Sequence, residues 1–159
     1  MYRIMFICTG NACRSAVAEC ILKKLLADKG IEDVEVCSAG TLDSWEGQPR
    51  DPVMARIAFE HGYTLEGKTT TATRERLDAM DLILGMTDGH KEKVKRLTRH
   101  DHWDRIHLFM KYCLGKEEPL LDPSYENETV YRTTFEKIEQ GCHMIANTII
   151  QQKKSVCMR

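Results

Sequence analysis

Cys8 and Arg14 enclose the segment Thr9-Gly10-Asn11-Ala12-Cys13, and Ser15 follows at once. Those residue types at that spacing can do a specific chemistry. Before them, Ile4 to Ile7 is an apolar run. It reads as a buried strand, because it is too short for a helix and ends in turn residues. From Ala16 the apolar spacing becomes helical. Cys8 is thus expected where a strand stops and Arg14 where a helix begins. The first amides of a helix have no intrahelical partner, and that end carries partial positive charge. A loop curling into it aims several N–H groups at one point and cradles an anion. Donors converging on a sulfur favour its charged form, so Cys8 at the base of the cradle would act as a thiolate. Arg14 can grip two oxygens of a tetrahedral oxyanion in a planar fork. Ser15 can donate to the Cys8 sulfur. A thiolate beneath a bound phosphoryl group is a nucleophile in line with phosphorus. A free cysteine is often only a small buried hydrophobe. Gly10, Asn11, Ser15 and the flanking strand and helix turn the balance toward a catalytic phosphate loop.

The elements that must hold this loop follow from periodicity. Ala16 to Lys29 predicts a helix, with Val17, Ile21 and Leu25 in one row and Ala18, Leu22 and Leu26 in the next. Gly30 is a natural stop. Val34 to Ser38 alternates and reads as a second strand. Asp51-Pro52 opens another helix, since Asp can cap and Pro fits the first helical position. Met54, Ile57 and Ala58 form its inward face and Gly62 ends it. Arg74 to Ala79 reads as a short helix, Asp81 to Met86 as a third strand and Ile106 to Phe109 as a fourth. Thr87 or Asp88 could cap a helix running through Leu97. From Glu128 to Lys154 one long helix is expected, with Tyr131, Phe135, Ile138, Cys142, Ile145 and Ile149 as a core stripe. Gly141 inside it could allow close packing on the sheet. Such alternation of strand and helix implies an α/β domain, a four-stranded parallel sheet with helices on both faces. Ligands in these sheets bind at the carboxyl ends of the strands, where Cys8 is expected.

A second chemical stretch runs from Lys116 to Tyr125, with Pro119 and Asp122-Pro123 stiffening a loop. A carboxyl there could reach over the pocket, protonate a leaving oxygen, then take a proton from water. Asp-Pro alone is weak, because it is a common turn.

Length, charge and cysteine usage bound the rest. The chain has 159 residues, a formal net charge of −1 and seven cysteines. One domain over 1–154 with a frayed tail over 155–159 is expected. Near-neutral charge gives no bulk case for nucleic acid or a membrane surface, and no apolar run is long enough to span a bilayer. Scattered cysteines, odd in number, argue against a disulfide framework and a zinc site and for a reducing cytoplasm. His100, His102 and His107 fit no standard metal spacing. The run Lys91, Lys93, Lys95, Arg96 and Arg99 reads as a solvated face, with docking of an acidic partner the lesser reading. Cys13 either packs as a small residue or, under peroxide, pairs with Cys8 and guards it from further oxidation.

The segment Cys8-Thr-Gly-Asn-Ala-Cys-Arg-Ser15 with Ala18-Glu19 resembles the N-terminal signature of the low-molecular-weight protein tyrosine phosphatases. That family has close relatives among protein arginine phosphatases and thioredoxin-coupled arsenate reductases. The resemblance extends over nearly the whole chain. It implies a flavodoxin-like strand order 2-1-3-4, a phosphocysteine intermediate, a phosphorylated protein or peptide as substrate, no cofactor and a monomer. It implies that Asp122 is the general acid, with Glu117 and Glu118 as fallbacks. Ser38 and His61 would brace the loop with Asn11 and Ser15. Trp45 would wall the pocket, and Tyr125 would supply the ring that the family usually carries straight after Asp-Pro, where this chain has Ser124. Two further departures are Ala16, where the tyrosine phosphatases usually have Pro, and Ala12, which matches neither branch. Met86-Thr87 with His90-Lys91 resembles the arginine-phosphatase branch, whereas Trp45 leans the other way. Phosphotyrosine is therefore the first expectation and phosphoarginine the second. Arsenate reduction is third, because Gly85 to Val94 lacks the relay cysteines and Cys113 is a poor substitute. A non-catalytic phosphoprotein-binding module is opposed by intact Cys8, Arg14 and Asp122.

Overall fold

The computed structural model describes residues 1–159. Strands β1 (Tyr2–Cys8), β2 (Val34–Gly40), β3 (Leu82–Gly85) and β4 (Ile106–Leu108) pair in parallel in the order β2-β1-β3-β4. β1 lies inside the sheet, which is why its run from Ile4 to Ile7 is apolar without alternation. Its side chains still divide by parity. Ile4, Phe6 and Cys8 join the larger core, and Met5 and Ile7 join a smaller one.

Helices cover both faces. The larger core is closed by α1 (Arg14–Asp28), α2 (Pro52–Glu60), α5 (Phe109–Leu114) and α6 (Glu128–Cys157). Opposite them, Leu77 of α3 (Arg74–Asp78) and Val94 of α4 (Asp88–Leu97) pack on Met5, Ile7 and Ile83. The core stripe expected on α6, from Tyr131 to Ile149, is buried throughout.

Local chemistry explains the boundaries. Asp51 caps α2, its Oδ1 accepting from the Met54 amide at 2.9 Å. Thr87 caps α4 and the His90 ring accepts from the Thr87 amide, so a histidine stands where a capping box usually has Glu or Gln. Three expectations need correction. The chain turns directly from β4 into α5 at Phe109, a short helix that periodicity over so few residues does not announce. α6 continues through Cys157, past the expected end at Lys154, because no breaker follows. Gly141 packs on α5 and not on the sheet. A Cβ there would stand 2.8 Å from Phe109 Cε1 and 3.2 Å from Cys113 Cβ.

His100 stacks on Trp103, His102 lies beside Asp78 and His107 stacks on Tyr112, so the three do not converge. No helix is long and apolar enough to cross a membrane.

Gly141→Ala tests the α5–α6 contact. Alanine gains about 1 kcal/mol of helix propensity, but overpacking a closed core costs about 1–3 kcal/mol. Phe109 is fully buried, so the second effect should win. Urea denaturation should show a lower midpoint at unchanged slope; an unchanged or higher midpoint would mean that the ring can step aside.

Candidate active site

The segment from Thr9 to Cys13 links the carboxyl end of β1 to the first turn of α1. The backbone N–H groups from Gly10 to Ser15 donate to no backbone carbonyl. Asn11 carries the reversal, with φ +60, a left-handed turn that Asn tolerates better than most residues. It is completely buried.

Its side chain settles the direction of the surrounding hydrogen bonds. Asn11 Oδ1 accepts from the Thr70 amide at 2.9 Å and from Arg50 Nη1 at 3.1 Å. Both are donors only, so the Asn11 amide nitrogen must point the other way. There Nδ2 donates to Ser15 Oγ at 2.9 Å and to Ser38 Oγ at 2.8 Å. Each hydroxyl, having accepted, has a proton to give. Ser15 directs its own to Cys8 Sγ at 2.9 Å, and Ser38 gives its own to Glu19. Ser38 and Ser15 thus flank one amide, and the sulfur of Cys8 is the end of that chain of donors.

Close approach of backbones completes the frame. The Thr41 and Leu42 amides donate to the Cys8 and Thr9 carbonyls, each at 3.0 Å. A Cβ on Gly40 would stand 2.7 Å from the Thr9 carbonyl oxygen. Only glycine fits there.

Arg14 is 3% exposed. Its Nη1 donates to the Leu120 carbonyl at 2.8 Å, while Nε is buried without a partner. Leu120 is also tied to the end of β3, its amide donating to the Met86 carbonyl at 2.8 Å. That anchors the loop carrying Asp122 over the cleft. Asp122 Oδ1 accepts from the Ser124 amide at 3.0 Å, and Oδ2 lies 3.9 Å from Arg14 Nη2. Cys8, Arg14 and Asp122 therefore share one cleft of about 560 Å³. Trp45 and Tyr125 stand at its mouth. The indole lies over Gly10, with Cδ1 3.1 Å from where a Cβ would be, and Tyr125 is fully exposed at φ +68. A larger apolar cleft lies at the opposite strand ends, around Tyr2, Ile149 and Val156. It holds no arginine near a thiol.

Cys13 lines the same cleft but is buried. Desolvation, then the nearby Asp51 charge, push its thiol well up. It is therefore protonated at neutral pH.

His61 does not brace the loop. It sits past the end of α2, Nδ1 bonds the Ile57 carbonyl at 2.8 Å and the ring packs on Phe135. Its place after Phe59-Glu60 puts it on the helix end facing α6. Besides Thr70 and Leu120, three residues not expected as site residues reach the site. Arg50 bonds Asn11, and Tyr131 Oη donates to Asp51 Oδ2 at 2.9 Å on the cleft wall. His90 Nε2 meets Thr9 Oγ1 at 2.9 Å. Because His90 Nδ1 accepts from the Thr87 amide at 3.1 Å, the proton of a neutral ring lies on Nε2, which donates to Thr9. Burial, then the charges of Arg14 and Lys93, push His90 down to about 4. The sequence signals near it are the capping position of Thr87 and the resemblance of Met86-Thr87 with His90-Lys91 to the arginine-phosphatase branch, neither of which gives the contact with Thr9.

The comparisons agree with this geometry. The profile of the family "Low molecular weight phosphotyrosine protein phosphatase" matches residues 3–155. The low molecular weight protein-tyrosine-phosphatase PtpB of Staphylococcus haemolyticus is 35% identical over 136 residues, covering 86% of this chain and 91% of that one. The protein-arginine-phosphatase of Bacillus subtilis is 29% identical over 152 residues, covering 95% and 99%. Among solved structures, a YwlE arginine phosphatase mutant with a phosphorylated active-site serine superposes with a TM-score of 0.86 at 27% identity, covering 96% and 98%. The chain belongs to the low-molecular-weight phosphotyrosine protein phosphatase family, whose members are cysteine-dependent phosphatases.

His90 makes stability depend on pH. Its folded pKa, about 4, lies below the ordinary 6.5. Between those values the unfolded chain binds the proton and the folded one does not, so stability is complete above pH 6.5 and falls as pH drops. The slope should approach about 1.4 kcal/mol per pH unit. Melting temperatures between pH 7 and 4 should fall more steeply for wild type than for His90→Gln, which can donate to Thr9 without titrating. Parallel curves would exclude this role.

Proposed function

We propose that the protein hydrolyses phosphotyrosine in proteins or peptides through a phosphocysteine intermediate. The carrying observation is Arg14, a buried guanidinium whose Nε has no partner, beside a thiol and a row of amides that bond no carbonyl. A tetrahedral oxyanion supplies what both groups lack.

The Cys8 thiolate attacks phosphorus, forming the S–P bond as the P–O bond to the tyrosyl oxygen breaks. Asp122 gives its proton to that oxygen. The carboxylate left behind takes a proton from water, whose oxygen attacks phosphorus, releasing inorganic phosphate and the thiolate. Arg14 and the amides from Thr9 to Ser15 hold the equatorial oxygens, so positioning and electrostatics supply most of the rate. Ser15 donates to sulfur, which favours the thiolate as nucleophile and as leaving group. Trp45 and Tyr125 offer aromatic walls to a phenyl ring. The chemistry calls for no cofactor, the site is complete within one chain, and a thiolate nucleophile suits a monomer in the reducing cytoplasm.

Phosphoarginine is the second reading. Ser124 leaves the position after Asp122-Pro123 without a ring, and a relative named protein-arginine-phosphatase matches along 95% of the chain.

Side-by-side hydrolysis of a phosphotyrosine peptide and a phosphoarginine peptide tests both readings, with Cys8→Ser as control. A phosphotyrosine preference is expected; a phosphoarginine preference would reverse the order, and turnover by Cys8→Ser would exclude the mechanism. Asp122→Asn should lower kcat by roughly 10²–10⁴-fold, the usual worth of a general acid.

A further inference from the structure

Arg50 stands just before the cap of α2, far in sequence from the loop it touches. Its Nη1 donates to the Asn11 carbonyl and, at 3.1 Å, to Asn11 Oδ1. On its other side Nε donates to the Glu66 carbonyl at 3.0 Å, and Nη2 lies 3.4 Å from where a Cβ of Gly67 would stand. The next residue adds a backbone tie, the Asp51 amide donating to the Ala12 carbonyl at 2.9 Å. Consecutive residues thus hold consecutive carbonyls of the phosphate loop.

A loop that turns its N–H groups inward to an anion turns carbonyl oxygens outward. Those oxygens need donors, and the left-handed turn at Asn11 needs restraint. A lysine would offer one point charge; a guanidinium offers a rigid fork that can serve two oxygens of one residue while its Nε serves a third. Burial draws the Arg50 pKa down, and the charges of Glu19 and Cys8 oppose that. Arg50 therefore lies within the field of the nucleophile and borders the same cleft, but its Nη1 and Nε are committed to acceptors of Asn11 and Glu66.

We propose that Arg50 is a positioning residue for catalysis: its Nη1 pins both oxygens of Asn11 while Nε holds the Glu66 carbonyl, and this rigid span holds the loop amides in the geometry that fits the transition state. This rests on the phosphatase reading above. Because the effect runs through amide convergence, it should be felt most where the equatorial oxygens are most demanding. Ground-state phosphate tolerates a looser cradle than a five-coordinate phosphorus does.

The test compares wild type, Arg50→Ala and Arg50→Lys. Arg50→Ala should lose roughly 10- to 100-fold in kcat/KM, the worth of hydrogen bonds from a charged donor, with the loss mainly in kcat. Inhibition by orthovanadate, which forms a five-coordinate adduct, should weaken with kcat, while inhibition by inorganic phosphate should weaken less. Added guanidinium at non-denaturing concentration should restore part of the activity of Arg50→Ala. Arg50→Lys should fall between the two. Wild-type kinetics in Arg50→Ala would overturn the proposal. So would equal losses toward vanadate and phosphate without rescue, which is what general loosening of the fold would give. If Arg50→Ala does not fold, Arg50→Lys decides, since full activity with a single ammonium would remove the need for a fork. Absence of turnover in wild type would instead overturn the phosphatase reading, and vanadate and phosphate binding by calorimetry would still judge Arg50.

Discussion

The site depends on one backbone conformation, the left-handed turn at Asn11. An L residue there costs about 1–2 kcal/mol, and the cost must be met by contacts that exist in no other arrangement. Asn11 meets it with every polar atom it has. Its oxygen takes the Thr70 and Arg50 donors, and its amide nitrogen serves Ser15 and Ser38. Alanine could adopt the turn only with the strain uncompensated, and glycine could adopt it freely but would orient nothing. The orientation matters because it makes Ser15 an acceptor toward Asn11 and hence a donor toward Cys8. One side-chain amide thus shapes the anion cradle and sets the proton direction at the sulfur.

The sheet brings that turn to the right place. Order β2-β1-β3-β4 means the chain leaves β1 to one side and later returns to the other, so a crevice opens at the carboxyl end of β1. Segments following three strands meet there. β2 contributes Ser38 and the close passage at Gly40, and β3 leads into Thr87 and His90, which reaches Thr9 across the crevice. The Leu120 amide on Met86 brings in the loop that holds Asp122. A parallel sheet gathers these residues from distant parts of the sequence because all its strands end on the same side.

What could be read in the sequence was what is encoded locally. Cys8 to Ser15 carries its chemistry in consecutive residues, and β1, α1, α2 and α6 declare themselves by period, cap or length. Partners chosen by tertiary approach did not declare themselves. Arg50 reads as one more loop cation before a cap, and His90 sits in a helix otherwise rich in charged residues of both signs, from Asp88 to Arg96. Tyr131 belongs to a correctly read core stripe, yet its hydroxyl ends on the cleft wall at Asp51. His61 shows the converse. Its position before a glycine fitted a brace, but the ring follows the helix end to Phe135. The branch question is opaque for the same reason, since the shape of the mouth depends on where Trp45, Ser124 and Tyr125 meet.

Arg14 and Asp122 stand in opposite environments above Cys8, and the tasks proposed for them call for that difference. In the proposed mechanism Arg14 presents the same fork in every step, and it is accordingly buried and held by the Leu120 carbonyl. In the same proposed mechanism Asp122 gives up a proton and later regains one, which needs contact with water; its side chain is 49% exposed. At 3.9 Å from Nη2 it is near enough to be guided by the arginine and too far for a bidentate pair. The tether at Leu120 fixes that separation, because the residue whose carbonyl orders the guanidinium also anchors the loop through its amide on Met86. On the proposed mechanism Arg14 is thus both the phosphate ligand and, through Leu120, the ruler that sets the height of Asp122 above it.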